Sequence, residues 1–325
     1  MPISLIMTVR NEANSLPGLL DSVLLGTLLP DEIVIVDGGS TDGTQQVIQS
    51  YSNRLPIGLI ERPGANISEG RNAAIAAATH DLIAVTDAGV RLDPRWLELL
   101  TAPLLSSSSH VDVVSGWFVA DPQTPFERAM GATVLPALED IDPSTFLPSS
   151  RSVAFRKAAW REVGGYPEWL DYSEDLMFDI ALRDAGKQFA FAPGAVAHFR
   201  PRADLPAFYR QYYRYARGDG KANLWLKRHA ARYATYTLGP AIAVSSLLHR
   251  SSLPGKAGLL AVLLAAAAYC RRPYMRLFPM LRGLPLTSAL YALALVPVIR
   301  LTGDIAKMLG YPVGVLWRLT HKRRR

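Results

Sequence analysis

The chain has 325 residues, 49% of them hydrophobic and 19% charged, with a formal net charge of +7. That length suits one large domain with an appendage, or two domains, and the balance is oily for a soluble enzyme. The single cysteine, Cys270, excludes a disulfide framework within the chain and a cysteine-based zinc site. The basic residues concentrate after residue 200, beside apolar segments, which fits attraction to anionic lipid headgroups better than to nucleic acid.

The opening MPISLIMTV lacks the basic leader and long apolar stretch of a signal peptide and reads as a first strand. The domain that it begins is therefore expected in the cytoplasm. Apolar runs predict strands at 3–9, 32–37, 57–60, 82–87 and 111–119. Helices are predicted at 16–25, 44–50 and 68–78, each with small polar residues near its start, and Asp93-Pro94 opens another through residue 100. Strands alternating with helices imply an α/β class, a mostly parallel sheet covered on both faces. Residues 106–109, all serine, read as a polar loop. From 122 to 150 the alternation fades, in a segment expected to shape the acceptor side of a cleft. A helix at 174–185 and a short strand at 188–192 close the domain.

Three strands end on polar groups: TVRNE, IVDGGSTDGT and VTDAG. Open α/β sheets bind ligands at the carboxyl ends of their strands, where loops bring side chains together. Asp37 and Asp87, each at such an end, mark a site for a phosphorylated small molecule. Asp37 is expected to be free for ligand, because Thr41 or Asp42 is available to cap the next helix. Glu174 and Asp175 open a helix, where negative charge is stabilised and where a carboxylate can also accept a proton.

Past residue 206 the character changes. Leu205, Phe208, Tyr212 and Tyr215 fall on one helical face, and Arg210, Arg214, Arg217 and Lys221 form a cationic stripe. Such a helix suits the headgroup layer of a membrane, or packs as an ordinary amphipathic helix on the domain. Apolar stretches follow at 233–248, 257–270 and 284–299, each about 14 to 17 residues, short against the roughly 20 that cross a bilayer. A fourth, at 305–319, holds Lys307 and several glycines and reads as re-entrant or interfacial. The basic clusters at 271–272 and 321–325 ask for an even number of crossings, two with interfacial helices or four short ones. The expected regions are 1–203, 204–232 and 233–325.

Taken in order, TVRNE, IVDGGSTDGT, SEGRNAAIAAA, VTDAG, VGGYPEW, SEDLMFDIALRDAG and QYYRY resemble the motifs of family 2 glycosyltransferases with the GT-A fold, over about residues 1 to 220. The resemblance implies a Rossmann-like catalytic domain followed by a helical, membrane-associated region. It also implies inverting transfer of a sugar from a nucleotide-diphosphate donor, UDP before other nucleotides. The aromatic and cationic helix after residue 205 and the apolar stretches beyond it point to an acceptor hydroxyl on a lipid or lipid-linked glycan at the cytoplasmic face of the membrane.

By the same resemblance Thr8, Arg10, Glu12 and Asp37 lie against base and ribose, and a carboxylate at Asp37 suits the imide N–H of uracil or thymine. Arg71, Ser152 and Arg214 serve the donor, Glu174, Gln211 and Tyr215 the acceptor side, and Asp175 is the general base. The family's usual Asp-x-Asp is here Asp87-Ala88-Gly89. A divalent cation, Mn²⁺ or Mg²⁺, is therefore expected to bind weakly until the donor diphosphate adds its oxygens. Its protein ligands would be Asp87 and His198, the latter at a position where such enzymes often carry a histidine; a lone histidine after a strand is otherwise structural.

Rival readings stay open. A processive polysaccharide synthase fits the motif order, but Tyr215 stands where such enzymes carry tryptophan. A catalytically degenerate membrane scaffold is supported by Gly89 alone. A nucleotidyltransferase would show a glycine-rich basic loop after the first strand, and TVRNEANS is not one.

Overall fold

The computed structural model describes residues 1–106 and 110–321, so most of the serine loop and the end of the basic tail lie outside the described residues. The chain divides into two units, Met1–Asp121 with Leu138–Arg200, and Pro122–Ala137 with Pro201–Arg325.

In the first unit the chain runs β1 (Ile3–Val9), α1 (Leu16–Leu24), β2 (Glu32–Asp37), α2 (Thr44–Tyr51), β3 (Ile57–Glu61), α3 (Ile67–Ala77), β4 (Leu82–Val85), β5 (Val90–Leu92), α4 (Trp96–Leu105) and β6 (Val113–Ala120). After α5 (Pro125–Val134), which belongs to the second unit, it returns through β7 (Val153–Arg156), α6 (Lys157–Glu162), α7 (Glu174–Asp184) and β8 (Phe189–Phe199). The segment at 122–150 is thus shared between the units.

The strands form one sheet in the order β3-β2-β1-β4-β7-β6-β8-β5. β1 to β4 run parallel, whereas β7 is antiparallel to both β4 and β6. The parallel strands are covered on both faces, which is why they read as unbroken apolar runs. Alternate residues feed two cores: Leu5, Met7, Ile33 and Ile35 on one face, and Ile6, Val34, Val36, Ile83 and Val85 on the other. Register sets Asp37 opposite Val9, so the ends of β1 and β2 deliver their loops together.

The structure corrects several boundaries. β4 stops at Val85, leaving Asp87 in a turn before β5, a strand too short to stand out in the sequence. The helix expected from Asp93-Pro94 starts at Trp96, because the Asp93 carboxylate pairs with His198 and caps nothing. β8 is about twice its expected length. It passes through Pro193-Gly194 by an irregularity opposite β6 between Ser115 and Trp117, the kind of bulge that lets a proline sit in a strand.

The second unit holds α5, α8 (Leu205–Ala222), α9 (Leu226–Leu248), α10 (Leu253–Met280) and α11 (Leu286–Thr320). The third and fourth apolar stretches are one continuous helix, α11. Its glycines, which suggested a re-entrant segment, face α8 instead. A methyl at Gly310 or Gly314 would collide with the backbone carbonyl of Tyr213 or Arg217, so small residues let the two backbones cross closely. The aromatic face of α8 points into protein: Phe208 is buried with Ala292, Val296 and Ile299. Among the described residues two helices, α10 and α11, are long and apolar enough to cross a membrane. Their outer leucines stay exposed, Leu263 at 67% for example, where a soluble core helix would bury them.

Candidate active site

The site in the first unit is built around Arg71. α3 opens with a capping box, in which Asn66 accepts from the Glu69 backbone N–H and the Glu69 carboxylate accepts from that of Asn66. Gly70 lets this helix press on Thr8 of β1, where any side chain would collide with the threonine methyl. Arg71 follows and is only 2% exposed. Its Nη2 donates to Asp87 Oδ1 at 2.9 Å and its Nη1 to Glu174 Oε1 at 2.7 Å, while its guanidinium lies over the Tyr166 ring at 5.3 Å. One cation therefore joins the acidic turn after β4 to the first residue of α7. Burial would favour neutral arginine, but Asp87 and Glu174 outweigh it and hold Arg71 protonated.

Asp87 keeps a side-chain exposure of 31%, and its Oδ2 lies 3.6 Å from Arg151 Nε. Arg151 is held there from two sides. The Thr86 hydroxyl donates to its carbonyl at 2.9 Å, and its guanidinium sits over the Phe199 ring at 4.8 Å. Gly89 has no positive φ, and an added Cβ would meet open space.

At the start of α7, Asp175 is part-exposed and its Oδ1 accepts from the Leu176 backbone N–H at 2.8 Å. Glu174 is buried. Burial first, then the charge of Asp175, push its carboxyl from 4.5 to about 7, against the pull of Arg71. Asp179, one turn on, is fully buried, its Oδ2 has no partner among the described residues, and burial raises its pKa well above the ordinary value. Both shifts make the folded chain hold protons that the unfolded chain has released. Their stabilisation is complete in acid and is lost as pH rises, through about 7 for Glu174. The detergent-solubilised protein should therefore melt at a lower temperature at pH 8 than at pH 5.5, and Asp179→Asn should narrow that gap. An unchanged gap in thermal denaturation would remove Asp179 as a cause.

Several expected ligands have other partners. Asp37 is not free: it is 0% exposed, its Oδ1 accepts from the Ser40 N–H and hydroxyl at 3.0 and 2.6 Å, and its Oδ2 from Gln45 Nε2 at 2.7 Å. A buried carboxylate needs such donors, and its own turn supplies them. Arg71 bridges two carboxylates. Ser152 is 1% exposed and is spent on Trp96 Nε1 and the Ala195 carbonyl. His198 turns its Nε2 to Asp93 Oδ1 at 2.7 Å. Thr8 is the last but one residue of β1 and lies against Gly70 of α3, Glu12 accepts from the Ser15 hydroxyl, and Arg10 is exposed. The loop carrying them is tied to the next by Asn11, whose N–H donates to Ser40 Oγ at 2.9 Å and whose Oδ1 accepts from the Thr41 N–H at 2.8 Å.

Gln211, Arg214 and Tyr215 lie on α8 in the second unit, with Gln211 Nε2 donating to the tyrosine hydroxyl at 2.7 Å.

Sequence reasoning missed Arg151, Asp179 and Asn11 as parts of the site. Asp179 had a signal, since it stands four residues after Asp175 on the same helical face. Asn11 stands within TVRNE, but its partners, like those of Arg151, depend on where the loop lands.

Among the described residues no three His, Cys, Asp or Glu side chains gather as metal ligands. Asp87 Oδ2 makes no hydrogen bond among them, so it is the oxygen through which this turn would hold a divalent cation.

Residues 4–161 match the model of Glycosyl transferase family 2. The chain is 26% identical over 240 residues to the succinoglycan biosynthesis protein ExoA of Rhizobium meliloti, covering 70% of this chain and 71% of the relative. It is 24% identical over 236 residues to the O-antigen chain rhamnosyltransferase RfbN of Salmonella typhimurium, covering 64% and 71%. Among solved structures it superposes on the mannosyltransferase PcManGT from Pyrobaculum calidifontis, in complex with GDP-Man and Mn²⁺. That match has a TM-score of 0.56 and 18% identity over 99% of this chain and 88% of the other. S. aureus TarS in complex with UDP-GlcNAc matches with a TM-score of 0.52 and 15% identity over 100% and 93%. At these identities the shared property is the fold, GT-A.

Proposed function

Since the chain belongs to glycosyl transferase family 2 and is a glycosyltransferase, we propose that it transfers a sugar with inversion from a nucleoside diphosphate sugar, UDP before other nucleotides. The acceptor is a hydroxyl on a lipid or a lipid-linked glycan at the cytoplasmic face of the membrane. The observation that carries this reading is the Arg71 bridge. It holds the donor-side carboxylate Asp87 and the opening of α7, where the general base stands, to one guanidinium and so fixes the two in relation to each other.

A sugar hydroxyl is a poor nucleophile at neutral pH. Asp175, part-exposed at the helix start, takes its proton as the oxygen attacks the anomeric carbon. The bond from that carbon to the diphosphate oxygen breaks on the opposite face, and the nucleoside diphosphate leaves with the electron pair. Arg151, beside Asp87, faces the developing negative charge. A divalent cation held by Asp87 and the diphosphate would add positive charge at the leaving group. Asp37 acts by shaping the loop that carries Ser40 toward the nucleotide, and Arg10 reaches the donor from the loop after β1.

For the acceptor, the support is α10 and α11 with their exposed leucines, and relatives whose names tie them to succinoglycan biosynthesis and the O-antigen chain. On this reading Gln211, Arg214 and Tyr215 serve acceptor and donor from α8. The test is a screen of the full chain in detergent against UDP-, GDP- and dTDP-sugars with a lipid extract as acceptor, with and without Mn²⁺, read as nucleotide release. One donor should give acceptor-dependent release that rises with Mn²⁺. Release from none of them, or equal release without lipid, would overturn the proposal.

A further inference from the structure

The second unit contains a polar cavity that sugar transfer in the first unit does not use. It has a volume of about 110 Å³ and lies among Phe208 and Tyr212 of α8, Tyr269 of α10, and Arg300, Asp304 and Lys307 of α11. That is several times the roughly 10–15 Å³ that admits one water, so a small anionic group fits. Arg300, Asp304 and Lys307 are spaced four and three residues apart and share one face of an otherwise apolar helix. Charges midway along such a helix are costly and mark function when they line a cavity.

The negative charge here is already matched. Asp304 Oδ1 accepts from Arg232 Nε of α9 at 2.7 Å, and its Oδ2 accepts from the Tyr236 hydroxyl at 3.2 Å and from the Tyr269 hydroxyl. Two cations remain. Lys307 Nζ stands 3.9 Å from Asp304 Oδ1, beyond hydrogen-bond range, and 4.9 Å above the Tyr212 ring. Arg300 donates through Nη2 to the Tyr269 carbonyl at 2.6 Å and stacks 4.0 Å over that ring, while its buried Nε has no acceptor among the described residues. The aromatic faces hold both cations in place, and a buried donor without an acceptor is a cost that a bound anion removes.

The geometry points to a phosphate-binding site formed by Arg300 and Lys307. A phosphate offers several acceptor oxygens to a guanidinium and a point charge together, and aliphatic or neutral sugar ligands offer no such match. Its source is the phosphate of a lipid-linked acceptor, the headgroup of an anionic phospholipid, or free phosphate. The first of these rests on the lipid-acceptor reading above.

The experiment titrates the full chain in neutral detergent with inorganic phosphate, phosphatidic acid and farnesyl phosphate, following thermal stability. Diacylglycerol and farnesol are the phosphate-free counterparts. At least one phosphate probe should bind and its counterpart should not. Arg300→Gln and Lys307→Gln should each weaken that binding about tenfold or more, Lys307→Arg should retain it, and Arg271→Gln on the exposed face of α10 should leave it unchanged. Preference for farnesyl phosphate assigns the acceptor, equal binding of phosphatidic acid assigns phospholipid, and binding of inorganic phosphate alone assigns a soluble anion; each supports the site. Binding by no probe, or binding unaltered in both glutamine variants, overturns it. If those variants bind normally yet lose transfer to lipid, the site falls and the lipid acceptor stands. If the probes bind through these residues while only soluble acceptors are glycosylated, the site stands and the lipid acceptor falls.

Discussion

Asp175→Asn is expected to leave donor binding intact and to lower sugar transfer by about 10² to 10⁴-fold, the usual worth of a positioned general base. Asparagine keeps the side-chain oxygen that accepts from the Leu176 N–H, so the turn survives, but it cannot take the acceptor's proton. Glu174 cannot stand in, because it is buried and its Oε1 is held by Arg71 at 2.7 Å. Transfer near the wild-type rate, at equal folded protein, would take Asp175 out of the mechanism. Loss in Asp179→Asn with retention in Asp175→Asn would move the base one turn along α7.

Arg71→Ala should cost about 3–5 kcal/mol of stability, the typical result of removing one partner from a buried ion pair. It strands Glu174 in the interior and releases the turn that carries Asp87. Arg71→Lys separates position from charge: an ammonium is one point and cannot span two carboxylates as the guanidinium does. That variant should stay folded yet lose about 10²-fold in transfer, the scale of a misplacement of about 1 Å. Denaturation midpoints and transfer rates of both variants decide the matter. A lysine variant with full activity would mean that the bridge does not position the site.

The central strands were legible because burial on both faces forces unbroken apolar runs, and β1 and β2 begin and end where those runs do. Asp87, Glu174 and Asp175 were legible because strand ends and helix starts collect acidic groups in one place. Partner choice was not. Nothing in DGGSTDGT says that Gln45, from the next helix, will take the second oxygen of Asp37, and nothing in SEGRNAA says that Arg71 will bury itself between two acids. Long-range geometry also hid the shape of α11. Its glycines read as breaks until the close crossing with α8 supplies a reason for them. His198 shows the same limit: the residue that it meets, Asp93, lies 105 positions away.

The anomeric configuration of the transferred sugar, read by NMR from product made with the donor that the screen identifies, separates direct displacement from a two-step path. Direct displacement assisted by Asp175 gives inversion, a β-linked product from an α-linked donor. An α-linked product from that donor, at the first turnover, would contradict the account.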